Sequence, residues 1–236
     1  MSKLTNDEWQ RLIMGIQAAY SVPFIDDITS FIWEAIFCYA KDIPIVDPLT
    51  STRKKLLYDV VDTSNNIGWS AKAIQKALKL PTEFELVIQR ADIFKKASSL
   101  GYDKLNKDTS PGILGEALLK HWYLKVDGDA NVQMVDQKRI CILLKSLDRK
   151  HYAFLEEDLV PYDSNHLIWE WTDSTKTGLQ GRRRSDNFVV YRWYPNQKQF
   201  FERFRLPVKT KTFTLIPHRL PLEEVVHLLL DKLSKP

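Results

Sequence analysis

The segment around residue 65 constrains the fold of this chain more than any other. Residues 56–62 carry β-branched and aromatic side chains, and residues 67–74 can return as a second strand. The four residues between them, 63–66 (TSNN), are of types that favour turns. Two strand-like segments joined by a short polar turn predict a β-hairpin.

The second half of this hairpin also fits a helix. In a strand, Ser70 and Lys72 lie on one face and Trp69 lies on the other. In a helix over residues 70–78, Ser70 would be the N-cap and Lys72 would be an exposed residue of the first turn. From the residues alone, both interpretations stay open.

Helix signals are clearest near the N-terminus. Thr5 and Glu8 have the spacing of a capping box, which predicts a helix over about residues 6–20. A second helix is expected to end before Pro44, because apolar residues recur on one of its faces up to that point. Ser110 followed by proline predicts a further helix start.

Strand signals dominate the later part of the chain. Strands are predicted at residues 83–94, 139–145, 152–155, 166–171 and 188–194. A last helix, beginning near Pro221, is expected to bury its apolar side chains, which are Leu222, Val225, Val226, Leu229 and Leu233. This mixture of helices and strands predicts one α/β domain over residues 1–236, since we find no repeat and no linker-like stretch.

Composition narrows the class of protein. The chain has 236 residues, 44% of them hydrophobic and 27% charged, which excludes a disordered or fibrous protein. No apolar run reaches about 18 residues, and the acidic N-terminus has no apolar core of a secretory signal. Two cysteines, Cys38 and Cys141, are too few for a disulfide framework. We therefore expect a cytoplasmic protein that does not contact a membrane.

The charge of the chain is unevenly distributed. Between Lys176 and Arg219 there are eleven Lys or Arg and two acids, a local charge of +9, whereas the net charge is +4. The rest of the chain therefore carries −5. Such a segment suggests the footprint of a polyanion, although a solvated strand face gives the same charge run.

The basic segment also contains side chains that can read DNA bases. Arginine can bind guanine through two hydrogen bonds, and asparagine or glutamine can bind adenine. The flanking Gly178 and Gly181 predict a flexible loop, and the aromatic residues nearby are at least partly core. The candidate DNA contacts are Lys176, Arg182, Arg183, Arg184, Arg192, Gln197, Lys198 and Arg203.

Several enzyme classes lack their motifs in this sequence. There is no glycine-rich phosphate-binding loop, no dinucleotide-binding fingerprint and no serine elbow. The five histidines are scattered, without the spacing of a zinc site. Histidine-based nucleases and zinc hydrolases are therefore disfavoured.

One set of residues could carry chemistry. The predicted hairpin brings Asp59 and Lys72 to one edge, and the preceding helix supplies Glu34. Carboxylates can hold Mg²⁺, which polarises phosphate, while a lysine can orient or deprotonate the attacking water. These residue types suit metal-assisted hydrolysis of a phosphodiester.

The same residues resemble the PD-(D/E)xK motif of the restriction-endonuclease-like family. Tyr58 and Asp59 match its first half, with tyrosine in place of proline, and residues 70–72 (SAK) match its second half. Ser70 stands where the family has its second acid, so Glu34, Asp62 or a backbone carbonyl must complete the metal site. The resemblance further includes the predicted strand at 83–94.

The resemblance implies both a fold and a function. The fold is a mixed central β-sheet flanked by helices, with residues 1–130 carrying the catalytic core and 131–236 the basic DNA-contacting part. The function is that of a Mg²⁺-dependent Type II restriction endonuclease acting on double-stranded DNA, commonly as a homodimer. Its catalytic residues would be Asp59, Lys72, Glu34 and Ser70, and its metal ligands Asp59, Glu34 and Asp62.

Simpler interpretations remain for the same residues. Glu34 could pair with Lys41, and Asp62 could only begin the turn. A second acidic pair would be Glu116 with Asp127, Asp129 or Asp136. It is the weaker candidate, because Gly128 and Asn131 predict that Asp127 and Asp129 lie in a turn. The whole chain could bind nucleic acid without cutting it, or serve as a protein–protein interaction module.

Overall fold

The computed structural model describes residues 3–45, 56–216 and 218–234. Its helices are α1 (Asn6–Ser21), α2 (Ser30–Lys41), α3 (Pro111–Gln133) and α4 (Leu222–Leu233). Its strands are β1 (Val60–Asp62), β2 (Ile67–Gln75), β3 (Thr82–Arg90), β4 (Gln137–Lys145), β5 (His151–Asp158), β6 (Leu167–Trp171), β7 (Leu179–Arg183), β8 (Val189–Tyr194), β9 (Gln199–Leu206) and β10 (Thr212–Thr214). The protein is therefore mixed α/β, as the sequence predicts.

The chain divides into two compact units that interleave in sequence. The first contains Met1–Leu80, Gln133–Leu159 and Lys209–Pro236, and the second contains Pro81–Val132 and Val160–Val208. This division does not follow the expected halves, 1–130 and 131–236, because each unit takes strands from both. Each unit contains one five-stranded sheet.

The sheet of the first unit is mixed. Its strand order is β1-β2-β4-β5-β10, and β2 runs parallel to β4 along its full nine residues while the other pairs are antiparallel. A parallel pair needs a crossover connection. The link between these two strands contains the residues Pro81–Val132 of the second unit.

Two helices cover one face of the first sheet. The predicted capping box starts α1, because Thr5 Oγ1 accepts a bond from the Glu8 amide and Glu8 Oε2 accepts one from the Thr5 amide. Trp9, Trp33 and Phe37 from the helices pack with Trp69 of β2 and Phe154 of β5 in one core. The alternating side chains of β2 thus point Trp69 into this core and Ser70 and Lys72 to the other face.

The sheet of the second unit is antiparallel, with strand order β3-β9-β8-β7-β6. One face carries stacked aromatic rings, with Trp169 on Tyr191 and Tyr191 on Phe200. Gly115 of α3 lies so close to Trp169 that a Cβ there would be 2.2 Å from the indole. This close approach requires glycine.

Most of the predicted elements are present, with several corrections. The helix over 70–78 is wrong, because this segment pairs with β4 as a strand. The predicted strand at 56–62 is shorter, since β1 begins at Val60. The flexible loop expected around Gly178 and Gly181 is instead largely the strand β7, in which Gly181 lies close under Trp169.

The last helix lies where the sequence predicts it, but the prediction that its apolar side chains are buried is wrong. Among its described residues only Val225 is buried, and the other side chains expected in the core, Leu222, Val226, Leu229 and Leu233, are exposed. In the part of the chain that the structure describes, no helix combines the length and apolarity needed to cross a membrane.

Candidate active site

The hairpin holds Asp59 beside the second strand. The turn at residues 63–66 pairs Val60 with Trp69, and the Asp59 amide donates to the Trp69 carbonyl at 2.9 Å. Asp59 therefore sits just before β1, where the chain still follows β2. The pattern of a strand, a polar turn and a returning strand was sufficient to predict this placement.

Asp59 and Lys72 form a direct ion pair. The Lys72 Nζ lies 3.0 Å from Asp59 Oδ2, which also accepts a bond from the Ala71 amide at 2.9 Å. The lysine donates in addition to the Ala71 carbonyl at 3.2 Å. Backbone groups of Ala71 thus fix both side chains. The pair is still open to solvent, because the side chain of Lys72 is 32% exposed and that of Asp59 is 20% exposed.

The carboxylate of Asp59 is used on one side only. Among the described residues, both hydrogen bonds that it accepts from protein groups fall on Oδ2. Within residues 3–45, 56–216 and 218–234, no hydrogen bond to its other oxygen, Oδ1, is found. A carboxylate oxygen is a donor that Mg²⁺ prefers.

Ser70 lies on the same strand face as Lys72 and is buried, with 2% of its surface exposed. Within the described chain its hydroxyl has no hydrogen-bond partner. A buried polar group without a partner is unusual in folded proteins. Its location next to the ion pair makes it part of the candidate site.

Glu34 lies on α2, which packs against β1 and β2. Its side chain is buried. The pKa of the nearby Cys38 thiol is raised to about 11, mainly because the thiol is buried and in addition because of the negative charge of Glu34. Across residues 3–45, 56–216 and 218–234, no three His, Cys, Asp or Glu side chains converge as a metal-binding group. The structure therefore brings together Asp59 and Lys72, but no complete set of protein ligands.

Asp62 belongs to the turn. Its Oδ1 accepts from the amides of Ser64 and Asn65, and its Oδ2 accepts from the Asn65 side chain at 2.7 Å. The bond from the Asn65 side chain is the main reason that the pKa of Asp62 is lowered. With both oxygens engaged, the structure does not support Asp62 as a metal ligand, and the simpler interpretation holds.

The second acidic group is not gathered into a site. Asp127 and Asp129 lie within α3 and not in a turn, because this helix continues to Gln133. Asp129 pairs with Lys125 one helical turn away, at 2.6 Å, and Asp136 accepts from the Asn66 side chain. The turn expected at Gly128 is therefore wrong.

Most cations of the basic segment are neutralised within the second unit. The described ion pairs are Lys176–Asp108, Arg182–Glu170, Arg183–Asp186, Arg192–Glu85, Lys198–Asp92 and Arg203–Glu83. This unit holds fifteen Lys or Arg against thirteen acids, and the other holds nineteen against seventeen, so each carries +2. The +9 of the sequence segment is not a property of either unit.

Two further candidate DNA contacts, Gln197 and Arg184, are exposed, and of the two only the Arg184 side chain forms a hydrogen bond within the described chain. Gln197 lies in the exposed turn between β8 and β9, whereas the Arg184 Nε donates to the Asn165 carbonyl at 2.8 Å. Of the aromatic residues nearby, Trp193 and Phe200 are buried in the core of the sheet. Folding thus leaves only part of the segment accessible to a ligand.

A buried charged group was missed by the sequence reasoning. Glu156 of β5 accepts from the Trp69 indole at 2.8 Å and from Arg139 at 3.2 Å, and Lys41 lies 4.0 Å from its other oxygen. These residues lie on the sheet face opposite Lys72. The one available signal was a glutamate directly after the apolar residues 152–155.

Comparison with protein-family models, with curated proteins and with solved structures returns no match.

Proposed function

We propose that this chain is a Mg²⁺-dependent, sequence-specific endonuclease for double-stranded DNA, of the Type II restriction class and with a restriction-endonuclease-like fold. The observation that carries the proposal is the Asp59–Lys72 pair, held 3.0 Å apart on one hairpin and open to solvent. This is the pairing of aspartate and lysine that the PD-(D/E)xK resemblance implies. The first sheet, mixed and flanked by helices, is compatible with that fold.

The donors at this edge fit a magnesium ion that is held jointly with the substrate. Mg²⁺ is commonly bound by one or two carboxylates together with substrate phosphates and water. Asp59 would hold it, because Oδ1 accepts no bond from the described residues. When bound, the ion polarises the phosphate and lowers the pKa of its water.

The protein side chains supply orientation and charge. Lys72 donates to the attacking water and to the negative charge that develops on the phosphate. Its bonds to Asp59 and to the Ala71 carbonyl hold the ammonium in place before substrate arrives. Ser70 offers to a bound water a hydroxyl that has no hydrogen-bond partner among the described residues. Glu34 lies on α2, over the opposite face of the sheet, and has no part in this arrangement.

Digestion of plasmid DNA tests the proposal. The protein is incubated with supercoiled plasmid in Mg²⁺ and, separately, in EDTA, and Asp59→Asn is compared with the control Asp103→Asn, an exposed aspartate of the second unit. We expect discrete fragments in Mg²⁺ from the wild type and the control, and none from Asp59→Asn or in EDTA. Cutting by Asp59→Asn at the wild-type rate would contradict the proposal.

A second function, DNA binding without cleavage, is favoured by one observation: the described residues contain no group of three His, Cys, Asp or Glu side chains that could hold a metal ion. The same samples, run as a gel-retardation series at increasing salt, separate the two functions. Salt-sensitive retardation with intact plasmid supports the binder, and metal-dependent fragments support the enzyme. The homodimer implied by the family resemblance is tested in parallel by sedimentation.

A further inference from the structure

Three arginines of the second unit surround one aromatic ring. The guanidinium carbons of Arg183, Arg203 and Arg205 lie 5.6, 5.8 and 4.4 Å from the centre of the Phe188 ring. Phe188 itself is buried, whereas the arginine side chains are 37%, 21% and 52% exposed. An aromatic face attracts cations, so the ring gathers three positive charges at one place on the surface.

The strand register produces this cluster. Arg203 and Arg205 are two residues apart on β9, so they share one face of the sheet, and Glu83 of β3 is the register partner of Arg205. Arg183 ends β7, and its amide donates to the Phe188 carbonyl at 2.8 Å. The cluster is therefore fixed by the backbone of three strands and the turn before β8.

The arginines of this cluster outnumber the carboxylates that form ion pairs with them in the described chain. Arg203 and Arg205 share Glu83, at 3.0 and 2.8 Å, and Arg183 lies 3.5 Å from Asp186. Glu85, the register partner of Arg203, pairs with Arg192 at 3.5 Å, so among the described residues four arginines of this face meet three carboxylates. Arg183 also has a buried Nε with no hydrogen-bond partner in the described chain.

Other cations of the basic segment are matched one to one. Arg182 uses two nitrogens on the two oxygens of Glu170, at 2.7 and 2.9 Å, and Lys198 pairs with Asp92 at 2.7 Å. A guanidinium offers five N–H donors in a fork that fits phosphate oxygens. The surplus of donors and of positive charge is therefore located around Phe188.

We propose that Arg183, Arg203 and Arg205 form a docking site for the phosphate backbone of duplex DNA, with Glu83 as an internal anion that the phosphate displaces. The inference rests on the proposed function, because it locates where the substrate of that enzyme would be held. Phosphate contacts position a protein on DNA without reading its sequence. The site consequently acts equally on all DNA sequences.

Binding of a fluorescent 20-bp duplex in EDTA, followed by anisotropy over a series of salt concentrations, tests this site without cleavage. We expect Arg203→Ala and Arg205→Ala each to weaken binding and to reduce the slope of log Kd against log salt by about one. Glu83→Gln should bind more tightly than the wild type, a gain that misfolding cannot produce. The control is Arg90→Ala, which removes an exposed arginine at the other end of β3 from Glu83.

The outcomes distinguish this inference from the proposed function. If the wild type binds and cuts DNA while Arg203→Ala, Arg205→Ala and Glu83→Gln bind as it does, the docking site is wrong and the nuclease stands. Equal losses in all three arginine variants, Arg90→Ala included, would also overturn it, since the effect would then be one of net charge. If the wild type neither binds nor cuts duplex DNA, both proposals fail.

Discussion

The two sheets each hold a carboxylate–cation pair at similar separation, yet the pairs differ in what they leave unused. In the second sheet, Glu170 receives Arg182 on both oxygens and Gln180 on one of them. In the first sheet, Asp59 receives Lys72 and the Ala71 amide on the same oxygen. Both oxygens of Glu170 are thus engaged by its own chain, whereas the bonds that Asp59 accepts from the described residues fall on Oδ2 alone.

This difference matters more than the distance between charges. Saturation lowers the pKa of Glu170, chiefly through the bond from Arg182, and makes the pair a structural link between β6 and β7. An ion pair can take part in chemistry only if bonds remain for substrate or metal. By this criterion Asp59, whose described bonds fall on one oxygen, is better suited to catalysis than Glu170, whose two oxygens are both engaged.

Replacing Lys72 with methionine should give the largest effect. We expect DNA cleavage to fall by about 10²- to 10⁴-fold, the range for loss of a general acid–base group, with little change in duplex affinity. The measurement is the initial rate of plasmid cleavage in Mg²⁺, alongside anisotropy in EDTA. Lys79→Met, an exposed lysine beyond β2, is the control. A wild-type rate in Lys72→Met would remove the functional difference between the two pairs.

Gly115→Ala should strongly destabilise the second unit. The added Cβ would lie 2.2 Å from the Trp169 ring, so the stacked aromatic face must shift. We expect a loss of about 3 kcal/mol in the free energy of unfolding, at the upper end for overpacking. Urea unfolding measures it. Gly112→Ala is the matched control, because no atom lies within 4 Å of its Cβ position; equal midpoints for the two variants would contradict the prediction.

Lys145→Met tests a buried pair of the first sheet. Lys145 is 4% exposed and donates to Asp27 at 2.7 Å and to the Ile28 carbonyl at 2.8 Å. Leaving that carbonyl without a partner should reduce stability by about 2 kcal/mol. Lys150→Met, an exposed lysine in the turn before β5, should unfold as the wild type does. An unchanged urea midpoint for Lys145→Met would show that water replaces the lysine.

Glu170→Gln should have the smallest effect. The pair with Arg182 is half-exposed, and such pairs contribute little. Because the folded-state pKa of Glu170 is lowered, its contribution is present above the unfolded pKa and is lost as the pH falls through the folded value. The difference in thermal midpoint between wild type and variant should therefore be small at pH 7 and shrink further as the pH falls below the unfolded pKa. A difference that grows on acidification would reverse the assigned sign.

Local patterns were sufficient to predict the parts of the structure that depend on neighbours in sequence. The capping box at Thr5, the hairpin turn and the strand face shared by Ser70 and Lys72 all follow from spacings of a few residues. The hairpin prediction placed Asp59 beside Lys72 because the turn alone sets that register. The sequence alone allows either a helix or a strand after Ser70. This segment is a strand because it pairs with β4, which lies about seventy residues later in the chain.

The errors concern contacts between residues that are distant in sequence. A charge count along the basic segment does not show its ion pairs, because the partners Glu83, Glu85, Asp92 and Asp108 lie 68 to 120 residues earlier in the chain. Gly181 suggested a loop, yet it is needed where Trp169 crosses its strand. No pattern within a short window contains this information.

The parallel pairing of β2 with β4 has a consequence for how the molecule is made. In the first unit β2 cannot pair with β4 until Gln137–Lys145 has left the ribosome, by which time Pro81–Val132 has also been synthesised. The second unit in turn waits for Val160–Val208, and β10 is later still. Nascent β1 and β2 therefore spend part of synthesis as an isolated hairpin, which is marginal in water. Variants that weaken this hairpin should lower the yield of folded protein before they alter the finished one.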